Sequence, residues 1–265
     1  MACSQEKHKR RDLHCEDVRL NQTAPPFNNA DLRRAVALSL DRKGLIDMLT
    51  DGEGTPGASM LPPPQGVWGL PPDQLKELPG YGEDVAKNRA EARAIMEKLG
   101  YGPDKPLKVK ITTRNATVFR DAAVALTDQL KQIYIDGELD LVETAQWYPR
   151  MGRKDYTIAY QLTERGVDDP DPMFFENYAC TSDRNYTGYC NKEVDKAFLQ
   201  QSLEPDQGKR KAMVWDIQRR LEQEGARITM YYSRAATCWS PRVKGLSIPL
   251  NSLYNSWRFE DVWLE

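Results

Sequence analysis

The chain has 265 residues, a mass of 30.3 kDa and a net charge of -2 from 37 basic and 39 acidic side chains. This balance disfavours broad nonspecific binding to nucleic acid or to anionic lipid. The mean hydropathy is -0.68, and no apolar run approaches the roughly 20 residues needed to cross a bilayer. The length suffices for one large domain or two modest ones with a real core.

Residues 1–20 carry a basic cluster, KHKRR, at residues 7–11. No apolar stretch follows the cluster, so the segment is not a secretory signal as it stands. It also lacks clear helical or strand periodicity, and we expect a tail without regular structure. A small nucleic-acid patch is the alternative for the cluster, but basic tails are usually solvated, and no nucleic-acid partner is predicted.

The spacing of apolar residues predicts a helix over residues 28–49, with an asparagine at its start as the cap. Residues 51–82 then contain prolines at 62–64 and 71–72, which fit neither a helix nor a central strand. We predict a long surface loop that carries one tryptophan, Trp68.

The remaining periodic segments predict an α/β fold. A strand, a helix and a strand within residues 107–145 form a βαβ-like unit, which favours helices packed on a sheet. Residues 163–190 are predicted to be irregular. The predicted helices are 85–99, 119–136, 191–202 and 209–223, and the predicted strands are 107–113, 139–145, 156–162, 228–233, 235–239, 246–250 and 256–264.

Two of the five cysteines, Cys180 and Cys190, flank a short polar loop. A disulfide between them is the favoured interpretation, and it would place the protein in an oxidising compartment. Two unlinked thiols and a zinc site remain open, but zinc would have to recruit His8 or His14 from the amino-terminal segment. No cofactor and no metal are predicted. Cys238 is expected to be a buried thiol on a strand.

Signatures of catalysis are weak, because the chain contains no G-x-S-x-G, Walker A or G-x-G-x-x-G pattern. Asp168, Asp169 and Asp171 could bind calcium or form a carboxylate pair for glycoside chemistry. Pro170 and Pro172 interrupt them, so an Asp-Pro turn with an aspartate capping the next helix is favoured. We predict that the protein is not an enzyme.

Arg114 follows the predicted strand 107–113 and would sit at its carboxyl end. A guanidinium there can hold a carboxylate through two hydrogen bonds. A surface arginine paired with a neighbouring acid is the equally open alternative. Trp68 and Trp147 are among several aromatic residues on predicted loops or strand ends. Such residues can line a small-molecule cleft, or they can simply cover the core.

Several spaced segments together resemble a known family. They are APPFNNADLRRAVALSLDRKGLIDML, the PPP and VWG loop at 62–69, VAKNRAEARAIMEKLGY, DDPDPMFFENYAC followed by NYTGYCNKEVDKAF, and the closing WRFEDVWLE. In this order they resemble the extracytoplasmic solute-binding proteins of the peptide/nickel class, family 5, which serve ABC importers. The resemblance implies an α/β lobe of the type II periplasmic-binding-protein kind, with a mixed sheet flanked by helices.

The resemblance covers about residues 21–265 and also implies how the chain is divided. Residues 21–255 correspond to the C-terminal lobe, and residues 256–265 to the terminal strand that returns to the first lobe in full members. Residues 1–20 do not resemble the family. The chain is therefore expected to be a truncated single-lobe form, whose exposed surface, including Trp257, would favour homo-oligomers.

The resemblance further implies a set of binding residues. Arg114 matches the arginine that holds the ligand carboxylate in dipeptide binders, and Trp147 matches the tryptophan that lines their pocket. Gly166 stands where members carry an acid for the peptide's amino group, and Glu164 is nearby but out of register. We therefore expect a preference for anions or neutral molecules over free peptides.

Asp169, in the DPD stretch, and Trp68, which would close over the ligand, complete the candidate set. The paired cysteines of some dipeptide binders match Cys180 and Cys190, which strengthens the disulfide prediction. The function implied is capture of a peptide-like or other small polar solute, with an ABC permease as partner in full-length relatives. The location implied is periplasmic. An interaction protein that reuses the lobe as a scaffold, in the cytoplasm, is the alternative.

Overall fold

The computed structural model describes residues 7–163, 167–247 and 259–265, with backbone alone for residues 7–13 and 235–238. Its strands are β1 (Lys7–Leu20), β2 (Leu107–Arg114), β3 (Ile135–Val142), β4 (Ile158–Thr163), β5 (Ile228–Trp239), β6 (Val243–Lys244) and β7 (Trp263–Leu264). Its helices are α1 (Ala30–Ser39), α2 (Arg42–Thr50), α3 (Pro72–Leu75), α4 (Val85–Lys98), α5 (Thr117–Lys131), α6 (Thr144–Gly152), α7 (Pro170–Asn177), α8 (Lys192–Ser202) and α9 (Gln207–Gln223).

A mixed sheet with the strand order β3-β2-β4-β1-β5 forms the centre of the molecule. β2 pairs in parallel with β3 and β4, whereas β1 runs antiparallel to both β4 and β5. The main core lies on one face, where apolar side chains of the sheet meet α1, α2, α4 and α5. On the other face α6 packs over β3 and β4, and α7, α8 and α9 enclose a further cluster. The predicted α/β class and the β2–α5–β3 unit are confirmed.

The prediction of an irregular amino-terminal tail is wrong for residues 7–20. These residues form β1, which lies between β4 and β5 inside the sheet. The strand was missed because its buried positions include polar residues, so the alternation of apolar and polar side chains that marks a strand is hidden. Glu16, Asp17 and Arg19 are all buried, and each finds its partners on distant segments.

The helix predicted over residues 28–49 is two helices, α1 and α2. Leu40 is extended (φ -74°, ψ 115°) and Asp41 then caps α2 by accepting a hydrogen bond from the Gly44 N–H. A short side chain that bonds to the backbone competes with helix continuation, so the aspartate starts a new helix here. The break escaped prediction because the apolar spacing continues across it.

Two further boundaries differ from the prediction. α5 ends at Lys131, and Tyr134 has a positive φ of 65°, which lets the chain turn into β3 at Ile135. As a result β3 ends at Val142, and Trp147 lies on α6 instead of at a strand end.

The carboxyl-terminal part contains one long strand where two were predicted, because β5 runs unbroken over Ile228–Trp239. β7 pairs with β6, so this short strand has a backbone partner within the chain. The predicted strand at 246–250 and the start of the one at 256–264, with Trp257, fall outside the described residues, as does the side chain of Cys238.

The loop between α7 and α8 is closed by a disulfide. Cys180 and Cys190 are bonded, with their Cα atoms 4.6 Å apart. The disulfide prediction is therefore confirmed.

Candidate functional site

The carboxyl ends of three parallel strands meet at one edge of the sheet, which we call the carboxyl edge. β2, β3 and β4 end there at Arg114, Val142 and Thr163. In open α/β sheets ligands bind beyond this edge, because the strands stop there and loops supply the polar groups. The candidate site is therefore built from the residues at these strand ends.

Arg114 is half-buried at the carboxyl edge and is held mainly by aromatic rings. Its guanidinium carbon lies 3.9 Å from the ring centre of Phe119 and 5.9 Å from that of Trp147. Stacking of this kind orients a guanidinium while leaving its N–H groups available. Its buried Nε has no hydrogen-bond partner among the described residues.

Trp147 is completely buried on α6 and packs against Val142, Met151, Tyr156 and Ala159. Its indole Nε1 also lacks a hydrogen-bond partner within the described part of the chain. The structure thus brings together Arg114 and Trp147, the two residues that the sequence placed at the ends of neighbouring strands.

Trp68 lies apart from this pair. It is 6 % exposed and packs in the cluster around α7–α9, where its Nε1 donates a hydrogen bond of 2.9 Å to the carbonyl of Asp168. The guanidinium of Arg210 lies 4.8 Å from its ring centre. Its indole therefore connects the 51–82 segment to the residues just before α7 and to α9.

Asp169 caps α7 by accepting a hydrogen bond of 2.9 Å from the Asp171 N–H. Both of its carboxylate oxygens also accept from Arg210, at 3.0 and 3.1 Å. The predicted Asp-Pro turn before a helix is confirmed, and these contacts favour a structural role for Asp169. Glu164 and Gly166 lie outside the described residues.

A buried ionic cluster at the same edge was missed by the sequence reasoning. Asp17 accepts hydrogen bonds from Arg227 at 2.7 and 2.8 Å and from Arg19 at 3.0 Å, while Thr163 contacts all three side chains. Burial alone would raise the pKa of Asp17, but the two guanidinium groups outweigh it and hold that pKa below its usual range. The only signal in the sequence is the alternation of charge at residues 17 and 19.

On the core face of the sheet, Glu16 accepts hydrogen bonds from the hydroxyls of Tyr160 and Ser233. Burial without a cationic partner raises the pKa of Glu16 to about 7. This carboxylate lines a groove of about 780 Å³ that also includes Met48 and Asp121.

No cluster of side chains suited to a metal ion occurs in the described residues. The same part of the chain has no helix that is both long and apolar enough to span a membrane.

Comparison with solved structures defines the class of fold. The chain superposes with a TM-score of 0.82 on OppA of Haemophilus influenzae in complex with RPPGFSPFR, at 22 % identity, covering 98 % of this chain and 50 % of that one. The fold, with its mixed sheet flanked by helices, is that of a type II periplasmic-binding-protein lobe.

The family model for bacterial extracellular solute-binding proteins, family 5 (middle), matches residues 5–186, and the chain belongs to this family. The match includes residues 5–20, which are most of the amino-terminal segment that was expected to lie outside the family.

Similar curated proteins include two from Escherichia coli K12. The probable D,D-dipeptide-binding periplasmic protein DdpA is 27 % identical over 85 % of this chain and 42 % of its own length. The probable deoxycholate-binding periplasmic protein YgiS is 24 % identical over 89 % of this chain and 43 % of its own length. The chain thus spans less than half the length of these relatives.

Proposed function

We propose that this chain is the part of an ABC importer's solute-binding protein that holds the carboxylate of a small polar solute. The single observation that carries the proposal is Arg114, a guanidinium at the carboxyl edge that stacks on Phe119 and near Trp147. No carboxylate pairs with it in the described part of the chain. It is a pre-oriented cation, and a planar anion is its natural partner.

The relatives support a carboxylate. Their printed names give a D,D-dipeptide and deoxycholate as ligands, and both of these carry that group. A site that recognises the carboxylate and leaves the rest of the solute to other contacts is compatible with such different molecules. The activity we propose is capture and release, without a chemical step, and the transport partner is a permease.

Periplasmic location is part of the same proposal. The curated relatives are named as periplasmic proteins, and the Cys180–Cys190 disulfide fits an oxidising compartment. An interaction protein that reuses the lobe as a scaffold is not favoured, because the family match and the carboxyl-edge arginine both point to solute binding.

We expect weak binding by this lobe alone, with a Kd of about 1 mM, since a second lobe would supply about half of the contacts. Small carboxylates are expected to bind better than free dipeptides, because Gly166 stands where relatives with an amine anchor carry an acid. This preference rests on the sequence alone.

The test is a titration followed by NMR, with acetate and the dipeptide Ala-Ala as probes. Arg114→Ala is expected to weaken acetate binding at least tenfold, because it removes the only charge assigned to the carboxylate. Arg220→Ala removes one positive charge from an exposed position on α9 and serves as the matched control. Unchanged acetate binding by Arg114→Ala, or tighter binding of the dipeptide than of acetate, would contradict the proposal.

A further inference from the structure

The hydroxyl of Tyr81 lies within hydrogen-bond distance of three acceptors but carries only one hydrogen. The acceptors are the carbonyl of Gly57 at 3.0 Å, Oε2 of Glu222 at 3.2 Å and the carbonyl of Thr229 at 3.4 Å. The carbonyl of Thr229 has a second donor, because Nε of Arg42 donates to it at 3.0 Å. The competition for the Tyr81 hydrogen is therefore between Gly57 and Glu222.

Gly57 and Tyr81 lie near the two ends of the 51–82 segment. Gly57 is buried, and the Tyr81 hydroxyl is the only donor to its carbonyl among the described residues. A buried carbonyl that loses its donor destabilises the fold, because it has already given up its hydrogen bonds to water. The bond from Tyr81 to Gly57 therefore holds the two ends of this segment together.

Glu222, on α9, is 6 % exposed and makes no ion pair in the described part of the chain. Arg42 attracts its charge, but the Arg42 guanidinium stacks 3.7 Å from the Tyr81 ring centre and donates to main-chain carbonyls. Oε1 of Glu222 and Nη2 of Arg42 are both buried without a hydrogen-bond partner within the described residues, so the two groups do not meet. Burial outweighs the attraction and raises the pKa of Glu222 to about 8.

The protonation state of Glu222 decides where the Tyr81 hydrogen goes. A protonated Glu222 donates its own hydrogen to the Tyr81 oxygen, which leaves the Tyr81 hydrogen for Gly57. An ionised Glu222 can only accept, and a charged acceptor forms the stronger hydrogen bond. The Tyr81 hydrogen then turns to Glu222, and the carbonyl of Gly57 loses its donor.

We propose that Glu222 is a proton-controlled clasp on the 51–82 segment, closed through Tyr81 and Gly57 when Glu222 is protonated and released when it is ionised. This inference involves neither Arg114 nor the solute, so it stands apart from the proposed function.

The charged and titratable groups that face the clasp come from three other parts of the chain. Arg42 of α2 and Tyr81 act on Glu222, and the Cys15 thiol of β1 faces the Tyr81 hydroxyl. Burial and Glu222 raise the pKa of Tyr81 well above its ordinary value, so Tyr81 stays protonated while Glu222 titrates. Loss of the Glu222 proton as pH rises through 8 therefore releases the clasp.

Amide hydrogen exchange on either side of Gly57 tests the proposal. The Thr55 N–H donates to the carbonyl of Tyr232, and the Met60 N–H donates to the side chain of Gln218. We expect the protection factors of these two amides, corrected for the intrinsic pH dependence of exchange, to fall about tenfold from pH 6 to pH 9. That is the effect of one hydrogen bond to a buried acceptor.

Glu222→Gln is expected to keep the pH 6 protection at both pH values, within about twofold, because its amide N–H donates to the Tyr81 oxygen as the protonated acid does. Glu97→Gln is the matched control. Glu97 accepts a hydrogen bond of 3.1 Å from the Tyr134 hydroxyl in solvent, so this variant should keep the tenfold fall. The amide of Ile111, in the buried part of β2, reports global unfolding at each pH.

Equal protection at pH 6 and pH 9 in the unsubstituted protein would overturn the proposal, as would a fall of the same size at Ile111. A fall that persists in Glu222→Gln would also overturn it and point to Cys15 as the titrating group. If Glu222→Gln does not fold, Tyr81→Phe replaces it. Without the hydroxyl, Thr55 and Met60 should show the low protection at both pH values, and a tenfold fall in this variant would contradict the clasp.

Discussion

Adjacent residues of β1 carry two carboxylates into the interior with opposite consequences. Glu16 faces hydroxyl groups only, and burial raises its pKa to about 7. Asp17, on the other face, meets two guanidinium groups that hold its pKa below the usual range despite complete burial. The charge of a partner thus decides whether a buried acid stays ionised.

Asp17→Asn is expected to lower the free energy of unfolding by about 3–5 kcal/mol, because Arg19 and Arg227 would stay buried without their anion. Urea denaturation at neutral pH measures the change. Asp47→Asn is the matched control, since Asp47 pairs with Lys43 in solvent and should contribute less than about 1 kcal/mol. Equal losses for the two variants would contradict this account of the cluster.

Glu16→Gln is expected to change how stability depends on pH. The folded-state pKa of Glu16 lies above its ordinary value of 4.5, so folding favours the protonated form. Glu16 therefore does not lower the free energy of unfolding below pH 4.5. Between pH 4.5 and 7 it lowers the free energy of unfolding progressively, and above pH 7 the loss is constant. Glutamine imitates the protonated acid. The free energy of unfolding of the variant should therefore equal that of the parent protein at pH 4.5 and exceed it at pH 8 by on the order of 3 kcal/mol.

Urea denaturation of both proteins across this pH range measures that difference. Parallel stability curves for the parent and Glu16→Gln would show that Glu16 is already ionised near pH 5 in the folded state.

At the scale of elements, capping aspartates decide where several helices begin. Asp41 separates α2 from α1, Asp84 caps α4, and Asp169 caps α7 immediately before a proline. Each provides a short acceptor for an N–H that the first helical turn leaves unpaired. The Asp169 cap could be foreseen because proline marks the first turn, whereas the Asp41 cap lies within continuous apolar spacing.

Asp169→Ala is expected to destabilise the protein by about 2 kcal/mol, because it removes both the α7 cap and the partner of Arg210. Asp169→Asn keeps a good capping group and loses only the charge. It should therefore lower the free energy of unfolding by about half as much as Asp169→Ala. Thermal denaturation of the two variants separates these contributions. A larger loss for asparagine than for alanine would contradict the capping role.

At the scale of the whole molecule, β1 and β5 extend beyond the rest of the sheet as a two-stranded ribbon, residues 7–14 paired with 233–239. β4 reaches only as far as Thr163, which is paired with Cys15. Past that point the described pairing of β1 is with β5 alone. In the described part of the chain, the edge of β1 that faces away from β5 therefore has no paired strand over residues 7–14. An unpaired strand edge can accept another strand.

This edge predicts self-association, and sedimentation velocity from low to high micromolar concentration measures it. We expect the average mass to rise toward that of a dimer as the concentration increases, because strand pairing between two copies covers the exposed edge. Alkylating the thiols beforehand is the control that removes intermolecular disulfides. A constant monomeric mass over the whole range would contradict the prediction.

The sequence by itself determined the α/β class, the β2–α5–β3 unit and the position of Arg114 at a strand end, because local periodicity and turn residues report these features. For Cys180 and Cys190 it favoured a disulfide but left free thiols and a zinc site open, and the structure contains the disulfide. The tertiary structure alone decided that residues 7–20 form a sheet strand and that Trp147 is buried on a helix. The physical reason is the distance along the chain at which polar groups find partners. Asp17 and Arg227 are separated by 210 positions, and no local pattern in the sequence records that they meet.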